Sequence, residues 1–316
     1  MSVSDEAVLW AYRLFLEREP DSYENFLEHK KCADHGMLAR RFTSCREYQN
    51  THSSGPKIGQ HLDVDNIQIE VNCSQQELQL MLSRIGAAWS WFGENEPHWS
   101  VVTNDSFLQS NIADNIDSFY QSGRTDVARL LAALRRNEID PTEIRKVGDF
   151  GCGVGRITLA LAKTFEYALG IDISKSHIAL AEKQQEAVGC TNAKFTSISS
   201  VKDLSDVGKL DLIISLIVLQ HNPPPVMAEI LKTLLETLNS KGLIYFQIPT
   251  YIKGYTFSVK EYLSKDQPKM EMNAIPQRQL FQILEKQNCQ IIEVREDTLT
   301  GSASMVSQTI LARKRD

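Results

Sequence analysis

The sequence predicts an α/β fold with a doubly wound, mostly parallel sheet, preceded by a helical region. Three observations support this prediction. From residue 145 onward, short apolar segments alternate with longer amphipathic ones, which is typical of a parallel sheet covered by helices on both faces. A glycine-rich turn joins the first apolar segment to the helix that follows it. The last two apolar segments have only a loop between them, which favours an antiparallel pair at one edge.

Residues 1–55 are expected to form a small helical N-terminal module. Apolar residues recur at helical spacing between residues 7 and 16, which indicates an amphipathic helix. The sequence Glu-Pro-Asp at residues 19–21 interrupts this pattern, because proline ends helices. A second helix is expected from Ser22, and residues 52–57 have the composition of a linker.

The next segment, residues 56–140, is expected to be a mainly helical cap or connecting region. A short strand is predicted between residues 64 and 73, because Ile67, Ile69 and Val71 alternate along it. Helices are predicted over residues 75–92 and 104–136. Gly123 is expected to break the second of them.

The main domain is expected to cover residues 141–316. Its strands are predicted at 146–150, 167–171, 193–197, 210–216, 243–248, 290–295 and 307–313. Helices are predicted between them at 156–165, 175–188, 225–238 and 277–287. The alternation of strand and helix implies right-handed crossover connections.

The composition of the chain argues against some kinds of binding partner, namely nucleic acids and the membrane interior. The chain has 316 residues, of which 42% are hydrophobic and 23% charged, and its net charge is −6. A nucleic-acid partner is not expected, because its binding needs a concentrated basic face. No segment approaches the roughly 20 apolar residues that span a bilayer, and the N-terminus does not have the pattern of a signal peptide. We therefore expect a cytoplasmic protein without a membrane span.

The cysteines and histidines do not predict a metal site. Six cysteines are scattered without a short repeated spacing, so free thiols are expected in a reducing compartment. His29, Cys32 and His35 lie three residues apart and could share one side of a helix. A structural metal site needs four ligands in a closed geometry, so these residues are interpreted as polar side chains near the surface.

The glycine-rich turn is the most informative motif of the chain. Residues 147–156 read Val-Gly-Asp-Phe-Gly-Cys-Gly-Val-Gly-Arg. Glycines at the end of a strand let the backbone approach a ligand, and the following helix offers free N–H groups. The spacing is Gly-x-Gly-x-Gly and not the Gly-x-Gly-x-x-Gly of dinucleotide-binding proteins, because residue 156 is arginine. A carboxylate at Asp149, two residues before the first glycine, fits a positively charged ligand better than a pyrophosphate.

A second acidic residue, Asp172, ends the next predicted strand. In open α/β sheets, ligands bind outside the carboxyl ends of the strands, and an acid at this position can hold the hydroxyls of a ribose. A glycine-rich turn alone would be weak evidence of a ligand site. Its combination with Asp149 and Asp172, in a strand–helix–strand context, favours a nucleoside-containing ligand.

The region from about residue 145 to 313 resembles the class I S-adenosylmethionine-dependent methyltransferases, whose first motif is an acid followed by Gly-x-Gly-x-Gly. The resemblance implies a Rossmann-like, seven-stranded sheet, S-adenosylmethionine as cofactor and no metal. In that family the glycine loop holds the methionine part, and the acid after the second strand binds the ribose. The implied cofactor-binding residues are Asp149, Gly151, Cys152, Gly153, Gly155, Asp172, Ile173 (stacking on adenine), Ser199 and Leu216.

The contact to adenine after the third strand is less clear from the residues. Members of the family often have an acid at this point, whereas here the sequence is Thr-Ser-Ile-Ser-Ser at residues 196–200 and the acid, Asp203, comes later. Ile198 and Ser199 are the candidates for this contact.

His221, after the fourth strand, is the candidate general base. The end of that strand faces the transferred methyl group in the family, and the pKa of histidine suits removal of a proton near neutral pH. An equally weighted interpretation makes His221 a structural residue in the turn before the three prolines at residues 223–225. Methyl transfer can also proceed by alignment of the reactants alone.

Two further resemblances concern the residues ahead of the main domain. The pattern Tyr120-Gln-Ser122-Gly123 is similar to that of methyltransferases encoded with bacterial surface-polysaccharide genes, where it helps to cover the cofactor. Residues 93–100 are a second candidate cover. The N-terminal module is similar to helical modules found beside enzymes of cell-surface glycan assembly. These resemblances imply cofactor-binding roles for Tyr120 and Ser122, a saccharide or other small hydroxyl acceptor, and a protein partner at the module.

Three functional hypotheses follow. The first is O-methylation of a saccharide or another small hydroxyl compound with S-adenosylmethionine, in polysaccharide biosynthesis. The second is a non-catalytic scaffold that binds S-adenosylmethionine within a glycan-assembly complex and needs no base. The third is a nicotinamide oxidoreductase, against which the glycine spacing argues.

Overall fold

The centre of the molecule is a seven-stranded sheet with the order β3-β2-β1-β4-β5-β7-β6. In this computed structural model β1 to β5 run parallel, and β7 lies antiparallel between β5 and β6. The expected mostly parallel sheet with an antiparallel pair at one edge is confirmed. The strands are β1 (Lys146–Phe150), β2 (Tyr167–Asp172), β3 (Ala193–Ser197), β4 (Leu210–Ser215), β5 (Leu238–Ile252), β6 (Cys289–Asp297) and β7 (Met305–Lys314).

The structure describes residues 3–16, 18–45, 48, 68–266, 269–302 and 304–316. Its helices are α1 (Asp5–Leu16), α2 (Tyr23–Lys30), α3 (His35–Thr43), α4 (Gln75–Asn95), α5 (Ile112–Arg136), α6 (Arg156–Leu161), α7 (Lys175–Ala187), α8 (Pro224–Thr237), α9 (Val259–Ser264) and α10 (Gln277–Lys286). No helix in these described parts of the chain is long and apolar enough to cross a membrane.

Hydrophobic cores cover both faces of the sheet. Along β4, Leu212 and Ile214 point into a core shared with α5 and α6, while Ile213 points into a core shared with α4, α8 and α10. This alternation follows from the two-residue repeat of a strand. Burial on both faces explains why the strands read as continuous apolar runs in the sequence.

Local signals fix where two helices begin. Ser74 precedes α4 and forms a capping box with Glu77, in which each side chain binds the backbone N–H of the other residue. Pro224 occupies the first position of α8, where the missing N–H of proline has no cost. Both helices carry side chains that later border the candidate site.

The expected break at Gly123 is wrong, because α5 continues through it from Ile112 to Arg136. Glycine serves there as a contact point with another helix. In place of the strand expected between residues 64 and 73, the described residues form one isolated parallel bridge, between Ile69 and Phe257. Val64 and Ile67, together with the expected linker at 52–57, lie outside the described residues.

The chain divides into two compact units, residues 1–63 with 302–304 and residues 64–301 with 305–316. In the first, α1, α2 and α3 enclose a small core of Val3, Val8, Ala11, Tyr12, Cys32, Leu38 and Phe42. The expected domain limits at 55 and 140 stay predictions. The second unit contains both the sheet and the helices α4 and α5 that precede it.

Candidate functional site

The glycine loop leaves β1 at the carboxyl edge of the sheet and enters α6. Gly151 and Gly153 have φ angles of 75° and 51°, a left-handed conformation that favours glycine. They also have no room for a side chain: a Cβ would lie 2.3 Å from Val218 Cγ2 at Gly151 and 2.4 Å from Val101 Cγ2 at Gly153. The loop therefore needs glycine for both its conformation and its close packing.

Asp149 lies beneath this loop and is almost completely buried. Its Oδ2 accepts a hydrogen bond of 2.6 Å from the Thr158 hydroxyl. Burial raises the pKa of the Asp149 carboxyl to about 6, although the hydrogen bond from Thr158 and the nearby Arg156 oppose this shift. A carboxylate with so little solvation is suited to a cationic partner.

Asp172, the last residue of β2, holds the glycine loop from the other side. Its Oδ2 accepts a hydrogen bond from the Gly153 N–H at 2.8 Å, and its Oδ1 accepts one from the Ser174 N–H, also at 2.8 Å. These two contacts tie the loop to the start of α7. Each carboxylate oxygen keeps a further lone pair that can accept a bond from a ligand hydroxyl.

A cavity opens between the glycine loop, the ends of β2 and β4, and α4. About 920 Å³ of space without protein atoms lies within its outline, and this figure includes solvent at its open mouth. Seven of the expected cofactor residues border it: Asp149, Gly151, Cys152, Gly153, Asp172, Ile173 and Leu216. The structure thus brings together residues from three strand ends.

Gly155 and Ser199 do not border this cavity. Gly155 caps α6 with a φ of 80°, so its role is to start the helix. The N–H and hydroxyl of Ser199 both donate to Asp203 Oδ2, at 2.7 and 2.9 Å. The late acid of the sequence is therefore a cap for the turn at 201–207, and Ile198, Ser200 and Val201 border the cavity instead.

Tyr120 and Ser122 lie behind the glycine loop and do not border the cavity. The Tyr120 hydroxyl donates to the Val154 carbonyl at 3.4 Å. The Ser122 hydroxyl accepts a hydrogen bond of 3.2 Å from Arg156 Nη1. Their contribution in this structure is to support the loop from α5.

A buried ion pair completes this support. Arg156 Nη1 lies 2.6 Å from Asp126 Oδ2, and the side chain of Arg156 is only 4% exposed. Arg156 borders the cavity, and its Nε has no hydrogen-bond partner among the described residues. Sequence reasoning did not single out Arg156 as a binding residue; the signal was an arginine at the first position of the helix that leaves the glycine loop.

The segment expected as a second cover, residues 93–100, reaches the cavity at its end. Ser100 and Val101 border it, as does Trp89 of α4. His177 of α7 anchors the cover, because its Nε2 lies 3.2 Å from the Pro97 carbonyl and 3.1 Å from the Ser100 hydroxyl. Burial lowers the pKa of His177, so this anchor is a neutral imidazole.

His221 lies next to the cavity but does not border it. Its Nδ1–H donates to the Glu271 carbonyl at 2.7 Å, its Nε2 lies 3.3 Å from Gln220 Nε2, and its ring packs against Trp89. Burial lowers the pKa of His221 to about 4. Both ring nitrogens are thus engaged, and the geometry agrees with the structural interpretation of this residue.

The described residues contain no group of three His, Cys, Asp or Glu side chains that could hold a metal ion. In the N-terminal unit, Cys32 is 1% exposed. The His29 ring contacts Tyr12 and Phe42, and its Nδ1 donates to the Asn25 carbonyl. Cys32 is therefore part of a small core, which corrects its interpretation as a surface residue, whereas His29 is half-buried and His35 is exposed.

Comparison with known proteins agrees with this geometry. Residues 147–242 match the family model of a methyltransferase domain. Two curated relatives are ubiquinone biosynthesis O-methyltransferases, from Methylococcus capsulatus (32% identical over 129 residues, 40% of this chain and 53% of the relative) and Actinobacillus pleuropneumoniae (30% over 132 residues, 40% and 56%). The chain thus spans about half the length of the curated relatives it matches.

The fold is shared with magnesium protoporphyrin IX methyltransferase from Synechocystis, solved with bound S-adenosylhomocysteine. The TM-score is 0.51 at 20% sequence identity, and the alignment covers 73% of this chain and 99% of that one. The shared fold confirms the expected Rossmann-like architecture, and the domain match agrees with the expected methyltransferase domain.

Proposed function

We propose that this chain, which carries a class I methyltransferase domain, transfers the methyl group of S-adenosylmethionine to a hydroxyl oxygen of a small acceptor. One observation carries the proposal: a single cavity at the strand ends is bordered by two buried carboxylates, Asp149 and Asp172. Besides the hydrogen bonds that they already accept, both carboxylates have free lone pairs. A ligand with a positive charge at one end and ribose hydroxyls at the other would supply a further partner to each.

Different side chains would hold different chemical groups of the cofactor. Asp149 would bind the ammonium group of its amino-acid part, and Arg156, whose Nε is unpaired, would bind the carboxylate. Asp172 would accept hydrogen bonds from the ribose, while Ile173 and Ile198 would enclose adenine. When bound, S-adenosylmethionine supplies an electrophilic methyl group on a positively charged sulfur that leaves as a neutral thioether.

The chain contributes alignment and exclusion of water. Trp89, Ser100 and Val101 border the cavity from the side of α4 and its following segment, so bound reactants would be held apart from solvent. Alignment of two reactants can supply about 7–11 kcal/mol of the barrier. A general-base role for His221 stays a prediction, and it requires a rearrangement that frees Nε2 from Gln220.

A saccharide hydroxyl remains our proposed acceptor, in polysaccharide biosynthesis. The Tyr-x-Ser-Gly resemblance and the N-terminal module support it, and the module is also the proposed site for a protein partner. The curated relatives named as ubiquinone biosynthesis O-methyltransferases favour an oxygen of a ubiquinone precursor as the second acceptor class. Both classes present an oxygen nucleophile to the same methyl group.

Calorimetric titration with S-adenosylmethionine, S-adenosylhomocysteine and NADH tests the proposal. We expect micromolar binding of the two adenosyl ligands, no binding of NADH, and loss of binding in Asp149→Ala. Transfer of labelled methyl to saccharides or to polyprenyl phenols would then identify the acceptor class. Undiminished binding by Asp149→Ala would contradict the site, and binding without turnover on either class would favour the scaffold.

A further inference from the structure

We propose that Gln247 is a positioning residue that fixes the turn at residues 216–218 and thereby sets the affinity for the amino-acid part of the cofactor. This inference rests on the proposed function, because it concerns the same cavity. It depends on a strained turn, a buried glutamine that holds it, and a chain of hydrogen bonds behind that glutamine.

The strained residue is Ile217, directly after β4. Its φ angle is 60°, a left-handed conformation that β-branched residues rarely adopt. Ile217 borders the cavity together with its neighbours Leu216 and Val218. Strained backbone persists only where the surrounding structure holds it, and it is concentrated at ligand sites.

Gln247 supplies the restraint from the neighbouring strand, β5. The Ile217 N–H donates to Gln247 Oε1 at 3.0 Å, and the Gln247 side chain is completely buried. Its amide N–H groups donate to Gln220 Oε1 at 3.0 Å and to the Ser307 hydroxyl at 2.5 Å. The donors and the acceptor of this amide are therefore all used, which fixes its orientation.

The chain of hydrogen bonds continues to the segment after α9. Gln220 Nε2 donates to His221 Nε2 at 3.3 Å, and His221 Nδ1–H donates to the Glu271 carbonyl at 2.7 Å. The Asn273 N–H closes the network on the Gln220 carbonyl at 2.8 Å. Gln220, His221 and Asn273 are each at most 6% exposed.

Such a network is an unusual way to fill a core. Buried polar groups stabilise a fold little more than apolar groups of the same shape, and each is costly if left unpaired. The buried Gln220, His221 and Gln247 are therefore best explained by the backbone that they hold. Ile217, whose N–H this network binds, borders the cavity.

The turn lies against the glycine loop, where Asp149 and Arg156 would bind the amino-acid part of the cofactor. Val218 packs so closely on the glycine loop that a Cβ on Gly151 would lie 2.3 Å from Val218 Cγ2. The adenine end is formed instead by Ile173, Ile198 and Val201, none of which has a hydrogen bond to the network. Loss of the restraint should therefore affect the amino-acid end and spare the nucleoside end.

The test uses two ligands that differ only at that end. S-adenosylhomocysteine contains the amino-acid part, whereas 5′-methylthioadenosine does not. For Gln247→Met, which keeps the size of the side chain and removes its hydrogen bonds, we expect about tenfold weaker binding of S-adenosylhomocysteine, equivalent to about 1.4 kcal/mol. Binding of 5′-methylthioadenosine should change less than about twofold.

Gln185→Met is the matched control. Gln185 in α7 also donates two side-chain hydrogen bonds, to the carbonyls of Cys190 and Ala193, and it does not border the cavity. Its substitution should leave the ratio of the two affinities unchanged. If Gln247→Met does not fold, Gln220→Met removes the next link and should shift the ratio in the same direction.

If Gln247→Met bound both ligands equally more weakly, or neither ligand more weakly, the positioning role of Gln247 would be overturned. Failure of the unmodified protein to bind S-adenosylhomocysteine would instead contradict the proposed function. The two failures are thus separated by the first titration of the series.

Discussion

Gly123 and Arg156 meet at their backbones: a Cβ on Gly123 would lie 2.2 Å from the Arg156 carbonyl oxygen. This contact is the point at which α5 crosses the start of α6. It explains the glycine in the Tyr-x-Ser-Gly pattern, since any side chain there would push the two helices apart. The glycine loop is thereby held between Asp172 on one side and α5 on the other.

Gly123→Ala is expected to destabilise the protein by about 1–3 kcal/mol, the usual cost of overfilling a packed contact. Thermal unfolding with and without S-adenosylhomocysteine measures both stability and loop integrity. Gly86→Ala in α4 is the control, because its Cβ would lie 3.5 Å from Ile173 Cδ1, an ordinary contact. The stability of that variant should increase by roughly 0.5–1 kcal/mol because of its higher helix propensity. An equal change in stability for Gly123→Ala and Gly86→Ala would contradict the close contact between Gly123 and Arg156.

Cofactor binding should weaken below pH 6 because of Asp149. Burial raises the pKa of its carboxyl to about 6, so the carboxylate that would pair with the ammonium group is lost as the pH falls through that value. At pH 5 we expect about tenfold weaker binding of S-adenosylmethionine than at pH 7.5. Titrations at both pH values measure this ratio.

Asp149→Asn supplies the comparison. The side chain of this variant cannot ionise, so its binding of S-adenosylmethionine should be weak at both pH values and independent of pH. A pH dependence that persists in this variant would assign the titration to another group.

His221 should not produce an acid limb in the rate of methyl transfer. Since burial lowers its pKa to about 4, the ring stays neutral between pH 5 and 8. At saturating cofactor, the pH profiles of the unmodified enzyme and of His221→Gln should therefore have the same shape, with a lower kcat in the variant. A limb between pH 6 and 7 that disappears in His221→Gln would establish the general base.

His98 should make the fold less stable in acid. Burial lowers the pKa of His98 from 6.5 to about 4, so between these values the unfolded chain binds a proton that the folded chain does not. Stability is therefore full above pH 6.5 and falls as the pH drops toward 4. His98→Phe preserves an aromatic ring beside Phe119 and should show a smaller fall in Tm between pH 7 and pH 5.

The effect of Asp149 has the opposite sign, since its raised pKa makes the folded state bind the extra proton. Because Asp149 is present in both the unmodified protein and His98→Phe, its effect on Tm cancels when the two proteins are compared. An identical fall in Tm for His98→Phe would exclude His98 as a source of acid sensitivity.

The strands and the glycine loop could be predicted because their signals are local. The apolar runs of β1, β2 and β4, and the placement of Asp149 and Asp172 at two strand ends, follow from short stretches of sequence. Gly123 was misread for the same reason. A glycine inside a helical pattern is locally a breaker, and only the distant carbonyl of Arg156 gives it another purpose.

The remaining site residues depend on pairings that no local pattern contains. Ser199 was a reasonable choice for the adenine contact, but Asp203 uses its polar groups. No local pattern identifies the partners of Gln247, because Ile217, Gln220 and Ser307 are 27 to 60 residues away along the chain. Trp89 reaches the cavity only because α4 packs across the ends of the strands.

The ion pair between Arg156 and Asp126 bears on where this protein can be shortened. The domain match begins at residue 147, and a fragment cut there would retain Arg156 without its carboxylate. The cut would also remove Leu130 and Leu134 from the core that they share with β4, and loss of a large buried side chain costs about 2–5 kcal/mol, enough to unfold many domains of this size. The smallest self-sufficient fragment must therefore start ahead of Ile112, so that α5 travels with the sheet.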